Sequence, residues 1–438
     1  MEERRILAEQ TTEYPKLSMA LIVVLLVLSP FVSVYLSYVA FVICVYRMAR
    51  YDAKVFATDY CILLPLTQLF RTDAGMSLLI WLCLVAAIWY FMWGKIRGDG
   101  ALLFLLAIMC FLLLRMQMNI RRYVLCFGQI FVLYTLLPKQ DAQSSARSAK
   151  AYCWSLAISS FYALLLRDTS QMVAVRGEES AAIWGTSIMR FYGLFEDPNY
   201  YTTLLIIGLA TLCKLKDSGR MKGITFWCLG AALAVFGVMT YSKTFFLTFV
   251  LLGGIYIIWQ FWNRKVFRGV FFSAAAFVAV LYVMYSENSP FAIVLERLTG
   301  GSGLADITTG RTDLFVLYWN AIRENLGSLL FGLGFNAPRL GQDPHNLYIE
   351  IIYYTGFIGL GLVLAFYISM IARMKNNVIA VKKQNIIAKY VVILMVAILY
   401  LSLHGFFELV TYGGLFIGFL SLNIIKKEEE SITETEML

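Results

Sequence analysis

Histidine and charged residues are scarce in this 438-residue sequence. It contains only two histidines, and 15% of its residues are charged, whereas about a quarter are charged in a soluble globular protein. Hydrophobic residues make up 60%, and apolar runs of about 20 residues, long enough to cross a bilayer, recur from end to end. This composition excludes an ordinary soluble domain. It predicts an all-α integral membrane protein in which residues 1–438 form a single polytopic membrane domain.

The placement of cysteine and histidine gives no sign of a metal site. The eight cysteines fall mostly within apolar runs and show no C-x-x-C spacing, so we interpret them as small buried hydrophobes rather than disulfides or ligands. Neither histidine has a cluster of potential ligands near it in the sequence. We therefore expect no metal and no other cofactor.

The net charge of +9 is interpreted as an orientation signal. Lysines cluster in short loops between apolar runs, as positive-inside sorting requires, so we expect no nucleic-acid partner. We predict about twelve membrane spans, within a range of about 11 to 14, and both termini in the cytoplasm. The run 17–46 contains Pro30 and is long for one span, so two short helices are an alternative there. The expected spans are 17–46, 75–93, 99–118, 122–137, 150–167, 198–213, 223–239, 243–262, 268–286, 345–372, 389–407 and 410–425, and residues 58–70 form either a further span or an interfacial helix.

Two sizeable segments are expected on the extracytoplasmic side: a first outer segment, residues 167–197, and a second outer segment, residues 287–344, which is 58 residues long. Both contain arginine but no lysine. The planar guanidinium group of arginine pairs bidentately with phosphate, so we favour an anionic ligand. The alternative is salt bridges to nearby carboxylates, namely Glu178, Glu179, Glu196, Asp306 and Asp313. The arginines are Arg167, Arg176, Arg190, Arg297, Arg311, Arg323 and Arg339.

The second outer segment is expected to contain a short amphipathic helix over residues 311–327. Gly327 should follow the end of this helix, which would lie on the outer face of the membrane. The stretch FGLGFNAPRLGQ (331–342) is rich in turn residues. The apolar residues with helical spacing are Leu314, Leu317, Tyr318 and Ile322.

Asp-Pro pairs at residues 197–198 and 343–344 predict the starts of two helices. Aspartate is a good N-cap, and proline suits the first helical position. Asn199 and His345 would then lie in first helical turns, where unsatisfied N–H groups and the positive end of the helix dipole favour anions.

His345 is the candidate catalytic residue. The positive end of a helix favours a neutral imidazole, although Asp343 opposes this effect if it lies close. A neutral imidazole beside phosphate-binding arginines can accept a proton from a sugar hydroxyl. The alternative is that His345 only caps the helix or packs at the membrane interface. His404, the other histidine, precedes Glu408 by four residues in an apolar run and is interpreted as a structural hydrogen-bonding group.

Several motifs around these residues resemble the bacterial superfamily of O-antigen ligases and Wzy-type O-antigen polymerases. The resemblance covers residues 185–365 and includes the order of the motifs and the long outer loop before the histidine. The motifs are MRFYGLFEDPNYY (189–201), TYSKTFFLTF (240–249), TTGRTDLFVLYWNAI (308–322), FGLGFN (331–336) and HNLYIEIIYYTGFIG (345–359).

The resemblance implies a GT-C-like membrane fold and a metal-independent, inverting glycosyl transfer from a glycan carried on undecaprenyl diphosphate. By motif, Arg190 and Arg311 would bind the diphosphate and His345 would activate the acceptor hydroxyl. Asn199 and Asn346 match asparagine positions and would help to position substrate. Lys243 would either hold phosphate or only extend to the interface. Arg297 and Arg339 have no motif match strong enough to carry over, and together with Glu350 they are further candidates for supporting roles.

We therefore expect a multi-pass enzyme of the bacterial cytoplasmic membrane, with its active site on the extracytoplasmic face. Its partners would be the lipid-linked donor, a glycan or lipid acceptor and membrane lipids, with a chain-length regulator or a flippase as further candidates. Polymerisation of a surface glycan is slightly favoured over ligation of the finished chain. A transporter or flippase is the alternative from another class, but the sequence shows neither the repeated halves nor the matching helix breaks that are typical of transporters.

Overall fold

The computed structural model describes residues 14–72, 76–93, 100–115, 128, 142–167, 169–170, 190–262, 270, 311–338, 340–341 and 344–376. Within these ranges the chain forms helices joined by loops and turns, and no strand is present. The expectation of a mostly helical protein is therefore confirmed for this part of the chain.

The helices are numbered here along the described residues. The first half contains α1 (Lys16–Leu28), α2 (Tyr35–Arg50), α3 (Ala53–Leu63) with a 3-10 turn at Leu64–Leu66, α4 (Leu78–Met92), α5 (Gly100–Arg115) and α6 (Ala142–Leu165). The second half contains α7 (Pro198–Asp217), α8 (Gly223–Met239), α9 (Lys243–Trp262), α10 (Arg311–Ile322), α11 (Leu326–Phe331) and α12 (Leu347–Asn376).

Most of the expected spans that lie in the described residues coincide with helices. The apolar runs 223–239 and 243–262 match α8 and α9. The run 17–46 forms two helices, α1 and α2, which are separated around Pro30. Apart from the single residues 128 and 270, the expected spans 122–137, 268–286, 389–407 and 410–425 lie outside the described residues.

Helix length and composition identify one candidate span among the described residues. The segment Leu347–Ser369 of α12 is long and apolar enough to cross a membrane. Four other apolar segments, Lys16–Leu28, Leu78–Met92, Gly223–Met239 and Lys243–Ile255, are shorter. A count of about twelve spans stays a prediction.

Buried hydroxyl groups join the helices around α6. The side chains of Thr58 in α3 and Ser148 in α6 share a hydrogen bond of 2.9 Å, and the Tyr152 hydroxyl donates to the Leu204 carbonyl in α7 at 2.9 Å. The Tyr201 hydroxyl of α7 donates to Ser160 Oγ at 2.6 Å. Small hydroxyl side chains let apolar helices approach closely while satisfying their own polar atoms. They therefore hold α6 between α3 and α7.

A buried ion pair links α2 to α3. Arg47 donates to both carboxylate oxygens of Asp59, with distances of 2.8 and 2.7 Å, and it also donates to the Pro15 carbonyl and to Ser18 Oγ. The Tyr14 hydroxyl donates to the same carboxylate. Burial and the nearby Asp59 charge raise the pKa of Tyr14, so its hydroxyl stays protonated and can donate. The hydrogen bonds compensate for the desolvation of both charges.

Replacing Asp59 by Asn should destabilise the protein by about 3 kcal/mol or more, because it leaves the Arg47 charge buried without a counter-charge. Thermal unfolding of the purified protein in detergent would measure the loss. Arg50→Gln is the control, since Arg50 lies on α2 with Arg47 but is exposed. This variant should change the free energy of unfolding by less than about 0.5 kcal/mol. Equal stability of the Asp59→Asn variant and the wild type would contradict a structural role for the pair.

Two glycines form a close crossing between the end of α11 and the middle of α12. Gly332 has φ +70° and Gly356 has φ +66° with ψ −172°. A Cβ on Gly332 would collide with the backbone of residues 354–356, and one on Gly356 would collide with the backbone of residues 330–331. These are conformations and contacts that only glycine allows. The crossing explains the first glycine of each of the motifs FGLGFN (Gly332) and YYTGFIG (Gly356).

The break at Gly356 leaves two carbonyls of α12 without a partner in the helix, and the loop after α11 donates hydrogen bonds to them. The backbone N–H of Leu333 donates to the Tyr353 carbonyl at 2.7 Å, and that of Gly334 donates to the Tyr354 carbonyl at 3.1 Å. Non-helical backbone at membrane depth is stable only when such groups find partners inside the protein. The loop after α11 is therefore attached to α12 through the backbone.

Gly356→Ala should destabilise the protein by at least about 2 kcal/mol, because alanine strains this backbone and collides with α11. Gly361→Ala is a matched control in the same helix, since Gly361 is exposed and has open space around it. That variant should be neutral or stabilising by about 0.5–1 kcal/mol. Similar apparent unfolding temperatures for the two variants would argue against the crossing.

Candidate functional site

The segment after Met189 folds into a compact turn before α7. Gly193 has φ +59°, and a Cβ there would lie 2.6 Å from the ring of Tyr201. Phe191 packs edge-on against Tyr201 with ring centroids 5.7 Å apart, and Phe195 stacks on it at 6.1 Å. This aromatic packing fixes the path of the chain from Arg190 to the start of α7.

The first expected Asp-Pro helix start is confirmed. Asp197 is the N-cap of α7, and its side chain accepts a 2.6 Å hydrogen bond from the N–H of Asn199. Pro198 occupies the first turn. Asn199 Oδ1 in turn accepts a 3.2 Å hydrogen bond from Ser242 Oγ. The cap thus positions Asn199 against the turn between α8 and α9.

Arg190 joins the same turn. Its Nε donates to the Thr240 carbonyl at 2.8 Å, and the backbone N–H of Phe191 donates to the Met239 carbonyl at 2.9 Å. An arginine at the end of a helix also interacts favourably with the negative end of its dipole. These contacts orient the planar guanidinium group in a half-buried position. Arg190, Asn199, Thr240 and Ser242 are called the Arg190 cluster below.

The turn that carries this cluster holds a strained residue. Tyr241 has φ +48°, a left-handed conformation that costs a non-glycine residue about 1–3 kcal/mol and is often found at functional sites. Lys243 follows as the first residue of α9 and is half-buried. It therefore follows Ser242 of the Arg190 cluster directly in the chain.

His345 does not lie in a first helical turn, so that expectation is wrong. The last helix begins at Leu347, and Asn346 caps it by accepting hydrogen bonds from the N–H groups of Tyr348 and Ile349 at 3.1 and 3.4 Å. His345 precedes this cap with φ +44°. The N-cap therefore lies three residues after the expected one at position 343, because Asn346 supplies it.

The loop before His345 is packed onto the beginning of α12. Tyr353 packs edge-on against Tyr318 of α10 with ring centroids 4.7 Å apart, and its hydroxyl donates to the Pro338 carbonyl at 2.7 Å. Phe335 stacks on Tyr354 at 5.0 Å. Glu350 lies one turn into α12 and is 6% exposed. The described part of the loop before His345 is thus packed against the helix that follows the histidine.

The remaining predicted site residues are only partly described. Arg311 is the first residue of α10, which places its backbone at the start of the expected amphipathic helix. The extent of this helix was wrong, because Gly327 lies in a second short helix, α11, that Asn325 caps. Arg297 and Arg339 lie outside the described residues.

One carboxylate of the first outer segment has its partner elsewhere in the chain. Glu196 pairs with Arg71 at 2.6 Å, an arginine outside the two outer segments that sequence reasoning missed. Tyr192, Tyr201 and Tyr353 are buried, so they belong to the core. Among the described residues, no group of three or more His, Cys, Asp or Glu side chains could hold a metal ion.

One comparison with known proteins finds a distant likeness. The sequence is 24% identical over 207 residues to a ComP-specific O-oligosaccharyltransferase of Acinetobacter baylyi. The match takes in 41% of this chain and spans 35% of the relative's length. No protein-family model and no solved structure matches the sequence.

Proposed function

We propose that this protein is a membrane glycosyltransferase that moves a lipid-linked glycan to an acceptor during the assembly of a bacterial surface glycan. The proposal rests on which residues have a strained backbone conformation. Among the described residues, the non-glycine residues with positive φ are Tyr241 and His345, and they lie in the two loops whose polar residues suggested this chemistry. The likeness to an O-oligosaccharyltransferase supports the same class of enzyme.

A membrane location is supported by apolar side chains on the outside of the helices. Leu17 is 87% exposed, Phe91 74% and Ile224 81%. A soluble monomer rarely exposes large contiguous apolar patches, whereas lipid tails solvate such side chains. We infer a multi-pass protein of the cytoplasmic membrane, with the Arg190 cluster and His345 on its extracytoplasmic side.

In the proposed reaction the donor is a glycan on undecaprenyl diphosphate. The acceptor hydroxyl attacks the anomeric carbon from the face opposite the diphosphate, and the bond between that carbon and the phosphate oxygen breaks with inversion. The diphosphate leaves with the electron pair, and the Arg190 and Arg311 guanidinium groups neutralise its charge. His345 accepts the hydroxyl proton. Guanidinium groups can supply this stabilisation without a metal ion.

The acceptor decides between two versions of the function. Sequence motifs slightly favour a polymerase, in which the acceptor is another lipid-linked glycan. The name of the matched relative favours transfer of an oligosaccharide to a different acceptor, which is a ligase-type reaction. Both versions use the same donor and the same leaving group.

Deleting the gene in its native host and extracting surface glycans together with lipid-linked intermediates would test the proposal. Single repeat units that accumulate in place of long chains indicate a polymerase, and full-length chains retained on the lipid indicate a ligase.

Complementation with Arg190→Ala or Arg311→Ala should lower transfer at least about 100-fold, because the leaving group loses a fixed cation. An unchanged glycan profile in the deletion strain would contradict the proposal and favour the transporter alternative.

Substitutions of His345 can separate its backbone conformation from its chemistry. Glycine and asparagine both tolerate positive φ, so His345→Gly and His345→Asn should fold with little strain. Both variants should nevertheless lose about 100-fold or more of the transfer rate if the imidazole accepts the proton. Added imidazole should restore part of the activity of the glycine variant. Full activity in the asparagine variant would show that only the backbone shape matters.

A further inference from the structure

A cavity of about 400 Å³ lies between the beginning of α6 and the turn after α7. It is far from the Arg190 cluster, because α7 begins at Pro198 and its 20 residues span roughly 30 Å. Nothing in the proposed transfer reaction uses it. The described residues that line the cavity are Gln143, Ala146, Arg147, Lys150, Gly219 and Arg220.

One wall of the cavity is a single face of α6. Gln143, Arg147 and Lys150 are separated by four and three residues, so their side chains project from the same side of the helix. Arg147 and Lys150 are half-buried. Ala146, which is 4% exposed, contributes only a methyl group and leaves room beside them. This face therefore presents two cations to the cavity.

The opposite wall is the tight turn that ends α7. Gly219 has φ +70°, and the backbone N–H of Arg220 donates to the Leu215 carbonyl at 3.0 Å. This glycine-dependent ending reverses the chain after a helix. It places Arg220 at the same cavity as Lys150, where their like charges repel each other. An anion between them would relieve this repulsion.

We propose that this cavity binds a phosphate-bearing anion, either the headgroup of an anionic phospholipid or free phosphate. Of the six described residues that line the cavity, three are cationic and none is acidic. Arginine pairs bidentately with phosphate, and basic pockets between helices are suited to anionic headgroups. Positive-inside sorting accounts for basic residues at this end of the helices, but it does not require them to converge on one cavity.

The test is binding by the full-length protein in neutral detergent. Retained phosphatidylglycerol would be quantified by mass spectrometry against phosphatidylcholine, and inorganic phosphate would be titrated as a competitor. Phosphatidylglycerol should bind at least about tenfold more tightly than phosphatidylcholine if the headgroup occupies the cavity. Inorganic phosphate that binds alone and displaces the lipid would identify free phosphate as the ligand.

Matched variants decide whether the cavity is responsible. Arg147→Gln and Arg220→Gln should each weaken binding at least about tenfold. Arg147→Lys should weaken it less than Arg147→Gln, because lysine keeps the charge but not the bidentate geometry. Lys222→Gln removes an exposed cation two residues from Arg220 and should leave binding unchanged. Equal losses in the Lys222 and Arg220 variants, or no preference for either probe in the wild type, would overturn the proposal. Because binding is measured without glycan transfer, its failure would not bear on the proposed enzyme activity.

Discussion

The backbone crossing of Gly332 and Gly356 is the constraint on which the His345 region depends. Both residues have positive φ and lie too close for any side chain. The crossing interrupts α12 and exposes two carbonyls that accept hydrogen bonds from the loop after α11. Phe335 of the same loop stacks on Tyr354 of α12, so a contact that contains no functional side chain attaches the segment before His345 to the helix that follows it. Glycine in these motifs therefore serves the geometry of the site.

In the Arg190 cluster, by contrast with the glycine crossing, hydrogen bonds from side chains hold the backbone in place. Arg190 Nε binds the Thr240 carbonyl, and Ser242 binds Asn199. These hydrogen bonds surround Tyr241 and stabilise a turn that its own φ disfavours. A guanidinium group oriented in this way can meet a phosphate without first losing conformational freedom, which lowers the entropic cost of binding. The structural contact to Thr240 and a role in phosphate binding are therefore compatible.

Sequence patterns predicted what depends on local interactions. Hydropathy located α8 and α9, and the Asp-Pro signal located the start of α7. The same signal failed before α12, because Asn346 accepts hydrogen bonds from the helix N–H groups instead. The Arg47–Asp59 pair and the break at Gly356 were missed, since each depends on a partner that no local periodicity reveals. A local cap therefore decided the first failure, and long-range packing decided the other two.

The helix pair α6 and α7 connects the two polar ends of the molecule. One end of α7 carries Asn199 within the Arg190 cluster, and the other end leads into Arg220 at the basic cavity. Hydrogen bonds from Tyr152 and Tyr201 join the two helices in the first half of α7. A ligand at the cavity would therefore act on helices that also position the cluster. Coupling between the cavity and the cluster would require two arrangements of α6 and α7 that bind the ligand with different affinities. The buried hydroxyl contacts between the two helices instead favour a single, rigid arrangement.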